Sequence, residues 1–104
     1  MKLNISYDLE KGFNKLIVLE KDNKTLLNNE AIRELKKYYR RLPIAIMNTN
    51  RILKKYDLSN IIDIIRAERK ISKNLTIFFK KYNWDIETDV KDGNLWIIAT
   101  KKEV

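Results

Sequence analysis

The amino-acid sequence predicts an α+β domain in which an N-terminal β-hairpin, about three helices and a C-terminal β-hairpin follow one another, with the hairpins joined in one antiparallel sheet packed against the helices. Three observations predict this. Polar and apolar residues alternate at both ends of the chain, the period of a half-buried strand. Between them apolar residues recur every three or four positions, the period of one helix face. Turn-formers are scarce, with two Gly and one Pro in 104 residues, so elements are long and connections short. The length suits a single domain over residues 1–104, and 44% hydrophobic content supports a core.

At the start, Leu3, Ile5, Tyr7 and Leu9 share one face of a strand, while Lys2, Asn4, Ser6 and Asp8 share the other. Glu10, Lys11 and Gly12 read as a turn. Residues 13–20 are rich in β-formers and read as the return strand, followed by a polar loop at 21–24. Ala31, Ile32, Leu35, Tyr38, Tyr39 and Leu42 then fall at helical spacing, with Asn28 or Asn29 as the expected cap and Glu30 in the first turn. Pro43 ends this helix or starts the next. A short helix is expected over residues 48–56, with Ile52, Leu53 and Tyr56 inward. Ser59 is the expected cap of a third segment, supported by Asp63. Its apolar positions are Ile61, Ile64, Ile65, Ile71, Leu75, Phe78, Phe79 and Tyr82, in one long helix or in two broken near Ser72. Trp84, Ile86, Thr88 and Val90 alternate with Asp85, Glu87 and Asp89. Asp92-Gly93 is a hairpin signal, and residues 95–100 form the return strand.

Charge is segregated along this order. Residues 33–81 hold fourteen basic and four acidic side chains, or +10; the remainder holds eight basic and ten acidic, or −2, giving the overall +8. Arg33, Lys37, Arg40 and Arg41 lie off the apolar stripe of the first helix. Arg66, Arg69, Lys70 and Lys73 fall at i, i+3, i+4 and i+7, one face of the third. Such a stripe tracks a phosphate backbone and gains affinity by counterion release. These eight residues are the expected nucleic-acid contacts. A solvated helix face is the competing explanation. An apolar-Lys-Lys-Tyr pattern also recurs at 35–38, 53–56 and 79–82, each time at an expected helix C-terminus, where cations offset the helix dipole.

Absences bound the chemistry. With no His and no Cys, a Ser-His-Asp or Cys-His nucleophile, a Cys/His zinc site and a disulfide framework are all excluded. Two isolated Gly residues cannot build a phosphate loop. What survives is carboxylate chemistry on one strand face, Asp85, Glu87 and Asp89 with Lys91, the ingredients of a metal-dependent nuclease. Strand alternation alone also produces that pattern, so no metal, cofactor or catalytic residue is expected. Residues 1–10 alternate rather than form an apolar stretch, and the longest apolar run is Leu16, Ile17, Val18 and Leu19. Neither a signal peptide nor a membrane span is expected, and the chain reads as intracellular. Abundant Lys, Ile and Asn with no Gln fit a low-GC microbe or its virus. One of Trp84 and Trp96 is expected in the core; the other, if exposed, marks an interaction surface.

Residues 59–102 also resemble the tail of a winged-helix DNA-binding domain: Ile61 to Lys70, a break, Ile71-Ser72-Lys73-Asn74-Leu75 opening a second helix, then the Asp92-Gly93 hairpin. The resemblance implies a groove-entering helix over residues 72–81 and a wing tip over residues 91–94. The N-terminal hairpin is foreign to that pattern. The expectation is therefore a small, basic, non-enzymatic nucleic-acid-binding protein, DNA favoured. The runner-up is a protein-interaction module that takes a partner or a second copy of itself through a hairpin edge or a helix groove. A carboxylate-metal nuclease stands third.

Overall fold

Both end hairpins form, and they meet in one sheet. The structure, a computed structural model, describes residues 1–11 and 13–102. Its elements are β1 (Lys2–Asp8), β2 (Phe13–Lys21), β3 (Lys24–Leu27), α1 (Asn28–Lys36), α2 (Leu42–Leu53), α3 (Ile61–Lys81), β4 (Trp84–Lys91) and β5 (Asn94–Lys101). The five strands are antiparallel in the order β3-β2-β1-β5-β4. Leu3 of β1 pairs with Leu19 on one side and Ala99 on the other, so β1 is the central strand that joins the two hairpins. The expected turn residue Gly12 lies outside the described residues.

The strand missing from the sequence reading is β3. Residues 21–24 are not a loop but a two-residue hairpin: Lys21 pairs with Lys24, and Asp22 and Asn23 both take positive φ, 50° and 61°. That is the twist a tight hairpin requires, and Asp and Asn tolerate it. Asp92 (54°) and Gly93 (73°) do the same between β4 and β5.

Helix boundaries moved for identifiable reasons. Asn28 does not cap α1; its Oδ1 accepts the Ile17 N–H at 3.1 Å, extending the β2 ladder beyond β3. The helix ends at Lys36 rather than near Leu42; Pro43 lacks the N–H that a helix continuing through Tyr39 would need there. Pro43 instead opens α2, which runs 42–53 rather than 48–56. Asn60, not Ser59, caps α3, accepting the Ile62 N–H at 2.8 Å. Ser59 instead donates its hydroxyl to Asp57, while Asp63 accepts the Asp57 N–H at 3.0 Å.

The 21 residues of α3 run unbroken through Ser72, so the break on which a helix-turn-helix depends does not form. Ala67, Glu68, Arg69 and Lys70 are strong helix formers, and Ala67, Ile71, Leu75 and Phe79 make one continuous buried stripe. Glu68, the polar intruder beside that stripe, is half-buried and accepts the Thr88 hydroxyl at 2.9 Å. A partner removes most of the cost of burying it.

All three helices cover one face of the sheet, where α3 lies on β4 and β5 and α1 on β2 and β3. The core between them holds Leu3, Ile5, Tyr7, Ile17, Leu19, Leu95, Ile97 and Ala99 from the sheet and Leu35, Leu42, Leu53 and the α3 stripe from the helices. Trp84 is a core residue, 4% exposed, and donates its indole N–H to the Tyr39 hydroxyl at 3.2 Å. Tyr39 packs edge-on against Tyr82 and Phe78 as well, closing that end of the core. Asn83, at φ 65°, reverses the chain from α3 into β4. The radius of gyration is 13.2 Å, close to the ~13 Å of one compact domain of this length.

The opposite face of the sheet carries no helix. The register puts Leu27, Val18, Asn4, Ile98 and Glu87 in one row across it, and Leu16, Ser6, Trp96 and Asp89 in the next. Leu27 is 49% exposed, and Leu16, Val18, Trp96 and Ile98 are half-buried. Trp96 is thus the tryptophan left at the surface.

Candidate nucleic-acid interface

Each helix offers its apolar stripe to the sheet, so its charged positions are left on the outside. The segment from α1 to Asn83 (residues 28–83) carries fourteen basic and five acidic residues, or +9, and the rest of the chain −1. All eight expected contacts, Arg33, Lys37, Arg40, Arg41, Arg66, Arg69, Lys70 and Lys73, are exposed. They do not form one cluster. Arg33 stands on α1, Lys37 caps its C-terminus, Arg40 and Arg41 lie on the α1–α2 connection, and the other four stand on α3.

Two carboxylates damp this field locally. Asp63 sits 3.7 Å from Arg66. Glu34 takes Lys37 at 3.2 Å and Lys21 at 2.9 Å, and Lys21 also donates to the Tyr38 hydroxyl. The Lys21 and Lys37 hydrogen bonds hold the Glu34 carboxyl below its ordinary range, and those from Tyr38 and Glu34 hold the Lys21 ammonium above its own. Lys37 is thus tied inward, while Arg69, Lys70 and Lys73 form no ion pair among the described residues.

Along α3, Arg66 to Lys73 spans about 10 Å of helix rise, the axial length of roughly three phosphates of one DNA strand. Sequence reasoning passed over further exposed cations on the same layer, Arg51, Lys54, Lys55, Lys80 and Lys81. The Lys-Lys-Tyr echo pointed at several of them. Each Lys-Lys pair does sit at a helix C-terminus, but the tyrosines diverge: Tyr56 and Tyr82 pack against the core, whereas Tyr38 is exposed under the Lys21 ammonium.

Between α2 and α3 runs a shallow groove lined by Arg41, Ala45, Asn48, Asn74, Ile77 and Lys81 among others. Ile77 is 68% exposed, and Ile44 and Met47, on the same turns of α2 as Ala45 and Asn48, are 58% and 59% exposed. The cationic layer therefore also carries apolar side chains in water.

A cleft of about 780 Å³ opens at one end of the sheet, with Asp8, Asp57 and Asp92 in its wall. Its carboxylates hold loops: Asp8 accepts the N–H groups of Glu10 and Lys11, and Asp57 accepts both donors of Ser59, which lower its pKa. On β4, Asp85, Glu87 and Asp89 are exposed side by side on the open sheet face, and Asp85 pairs with Lys102 at 3.1 Å. No group of three or more carboxylates is close enough to hold a metal ion among the described residues. No described helix is long and apolar enough to cross a membrane.

No protein-family model, curated protein or solved structure matches this chain.

Proposed function

We propose that this chain is a non-enzymatic nucleic-acid-binding protein that grips the phosphate backbone with the outer face of its helix layer. The observation that carries this reading is the unneutralised cationic face of α3, where Arg69, Lys70 and Lys73 are exposed and unpaired among the described residues beside Arg66. Duplex DNA is the favoured target, because a straight helix presents its charges at a regular rise that suits a regular backbone. With α3 unbroken, the separate groove-entering helix expected over residues 72–81 has no start of its own. The binding reads charge and shape rather than base sequence.

The test is binding to duplex DNA, single-stranded DNA and duplex RNA at two or more salt concentrations. Log affinity falls linearly with log salt, with a slope of about −4 to −5 for four to six phosphates. Replacing Arg66, Arg69, Lys70 and Lys73 together by Glu removes at least three units of that slope and leaves the fold intact. Salt-independent affinity, or no binding at low salt, sinks the proposal.

A further inference from the structure

We infer that the open face of the sheet is a docking surface for the helix layer of a second copy of this chain, in a head-to-tail contact. The inference does not rest on nucleic-acid binding, although the two share cations. Two complementary surfaces carry it. The open face combines five apolar side chains, Leu16, Val18, Leu27, Trp96 and Ile98, with an acidic margin on β4, where Asp85, Glu87 and Asp89 are all exposed. Counting Asp8, Glu20 and those three against Lys2, Lys91 and Lys102, which pairs with Asp85, the charged residues on this face sum to −2. The helix layer is the mirror of this: Ile44, Met47 and Ile77 exposed among Arg41, Lys73 and Lys81, within a segment of +9.

Like faces do not match. Two open faces would set −2 against −2, and two helix layers would set cations against cations, so a two-fold pairing of either kind is repelled. Sheet against helix layer joins opposite charges and buries apolar groups on both sides. It also covers the sheet with helices on its second face, the usual way a sheet is closed to water. The size suffices. Five strands ~4.8 Å apart and eight residues at ~3.3 Å make a face of about 24 by 26 Å, so a contact buries roughly 1,200 Å² in total, where specific interfaces begin. Inside this face Asn4 Oδ1 is buried without a hydrogen-bond partner among the described residues, an acceptor that a long cationic side chain of the second copy can reach when the amide turns.

A head-to-tail contact leaves one face of each kind free, so it propagates. Sedimentation velocity on the full chain, without nucleic acid and at low salt, is expected to show species that grow with protein concentration and shrink as salt is added. One variant carries Asp85→Lys, Glu87→Lys and Asp89→Lys, all exposed positions. The other carries Arg41→Glu, Lys73→Glu and Lys81→Glu. Each alone is expected to stay monomeric, with association weakened at least tenfold and circular dichroism unchanged. Each variant repels a second copy of itself, but the Lys-bearing sheet face of the first complements the Glu-bearing helix layer of the second, and their unaltered faces also match, so mixing the two variants is expected to restore growth; mixing either with wild type is expected to cap the chains and shorten them. Trp96→Ala changes no charge and tests the apolar part of the contact, abolishing growth without altering the acidic margin. A monomer at all concentrations at low salt overturns the inference. So does a closed dimer that does not grow, or growth that all three variants leave untouched. Absence of DNA binding by the wild-type chain at low salt, with growth intact, refutes the nucleic-acid reading alone.

Discussion

Thr49 and Tyr7 show how a single polar contact is fixed inside this core. Both are fully buried, with the Thr49 hydroxyl 2.6 Å from the Tyr7 hydroxyl and 2.5 Å from the Ile46 carbonyl oxygen. Each hydroxyl has one proton, so a relay from Tyr7 to Thr49 to the carbonyl satisfies all three groups. Thr49→Val breaks it and leaves the Tyr7 hydroxyl buried without an acceptor. The expected cost is ~1–3 kcal/mol in urea or thermal unfolding. Adding Tyr7→Phe removes the orphan and recovers part of the loss; a double variant no better than Thr49→Val refutes the relay. Burial also pushes the Tyr7 phenol well above its ordinary pKa, and the Thr49 hydrogen bond offsets this only in part.

At the scale of elements, continuity of α3 is the sharpest departure from the winged-helix expectation, and it has its own test. As an N-cap, Ser72 would lose ~1 kcal/mol on replacement by Ala. Inside a helix the same change is neutral or stabilising by a few tenths, because Ala is the better helix former. A clear fall in melting temperature for Ser72→Ala would contradict the unbroken helix. Most elements were legible in the sequence, because alternation and helical spacing follow directly from which face is buried. The boundaries were not. The cap at Asn28 was misread because its side chain serves β2, eleven residues earlier in the chain, and that pairing exists only in three dimensions. The third strand had a local signal, Asp22-Asn23 between Leu19 and Leu26, but the four residues of β3 are too short to alternate visibly. Of the candidate interface, the α3 stripe could be read from spacing. The open sheet face could not, since it is assembled from five strands brought together by the fold.

For the whole molecule, the ionisable groups bracket a window of stability. Glu34 and Asp57 have lowered carboxyl pKa values when folded, so their contribution is present above the ordinary carboxylate range and lost as pH falls through the folded values. Tyr7 is the reverse: its contribution is intact below the ordinary phenol value, about 10, and lost as pH rises toward the folded one. Urea unfolding at a series of pH values should show a plateau from about pH 5 to 10 and a decline on either side. A decline beginning near neutrality would place the controlling groups elsewhere. One feature of the sheet also governs how the chain reaches this state. Its central strand is its first, and the pairing of Leu3 with Ala99 spans 96 residues, from 3 to 99. During synthesis β1, β2 and β3 can form a meander early, but one edge of β1 stays unpaired until β5 has left the ribosome. A nascent chain therefore exposes the middle of its own sheet as an edge, the kind of edge that captures a neighbouring chain. Slow translation through the last third of the message prolongs that exposure, and the yield of folded protein should fall with it.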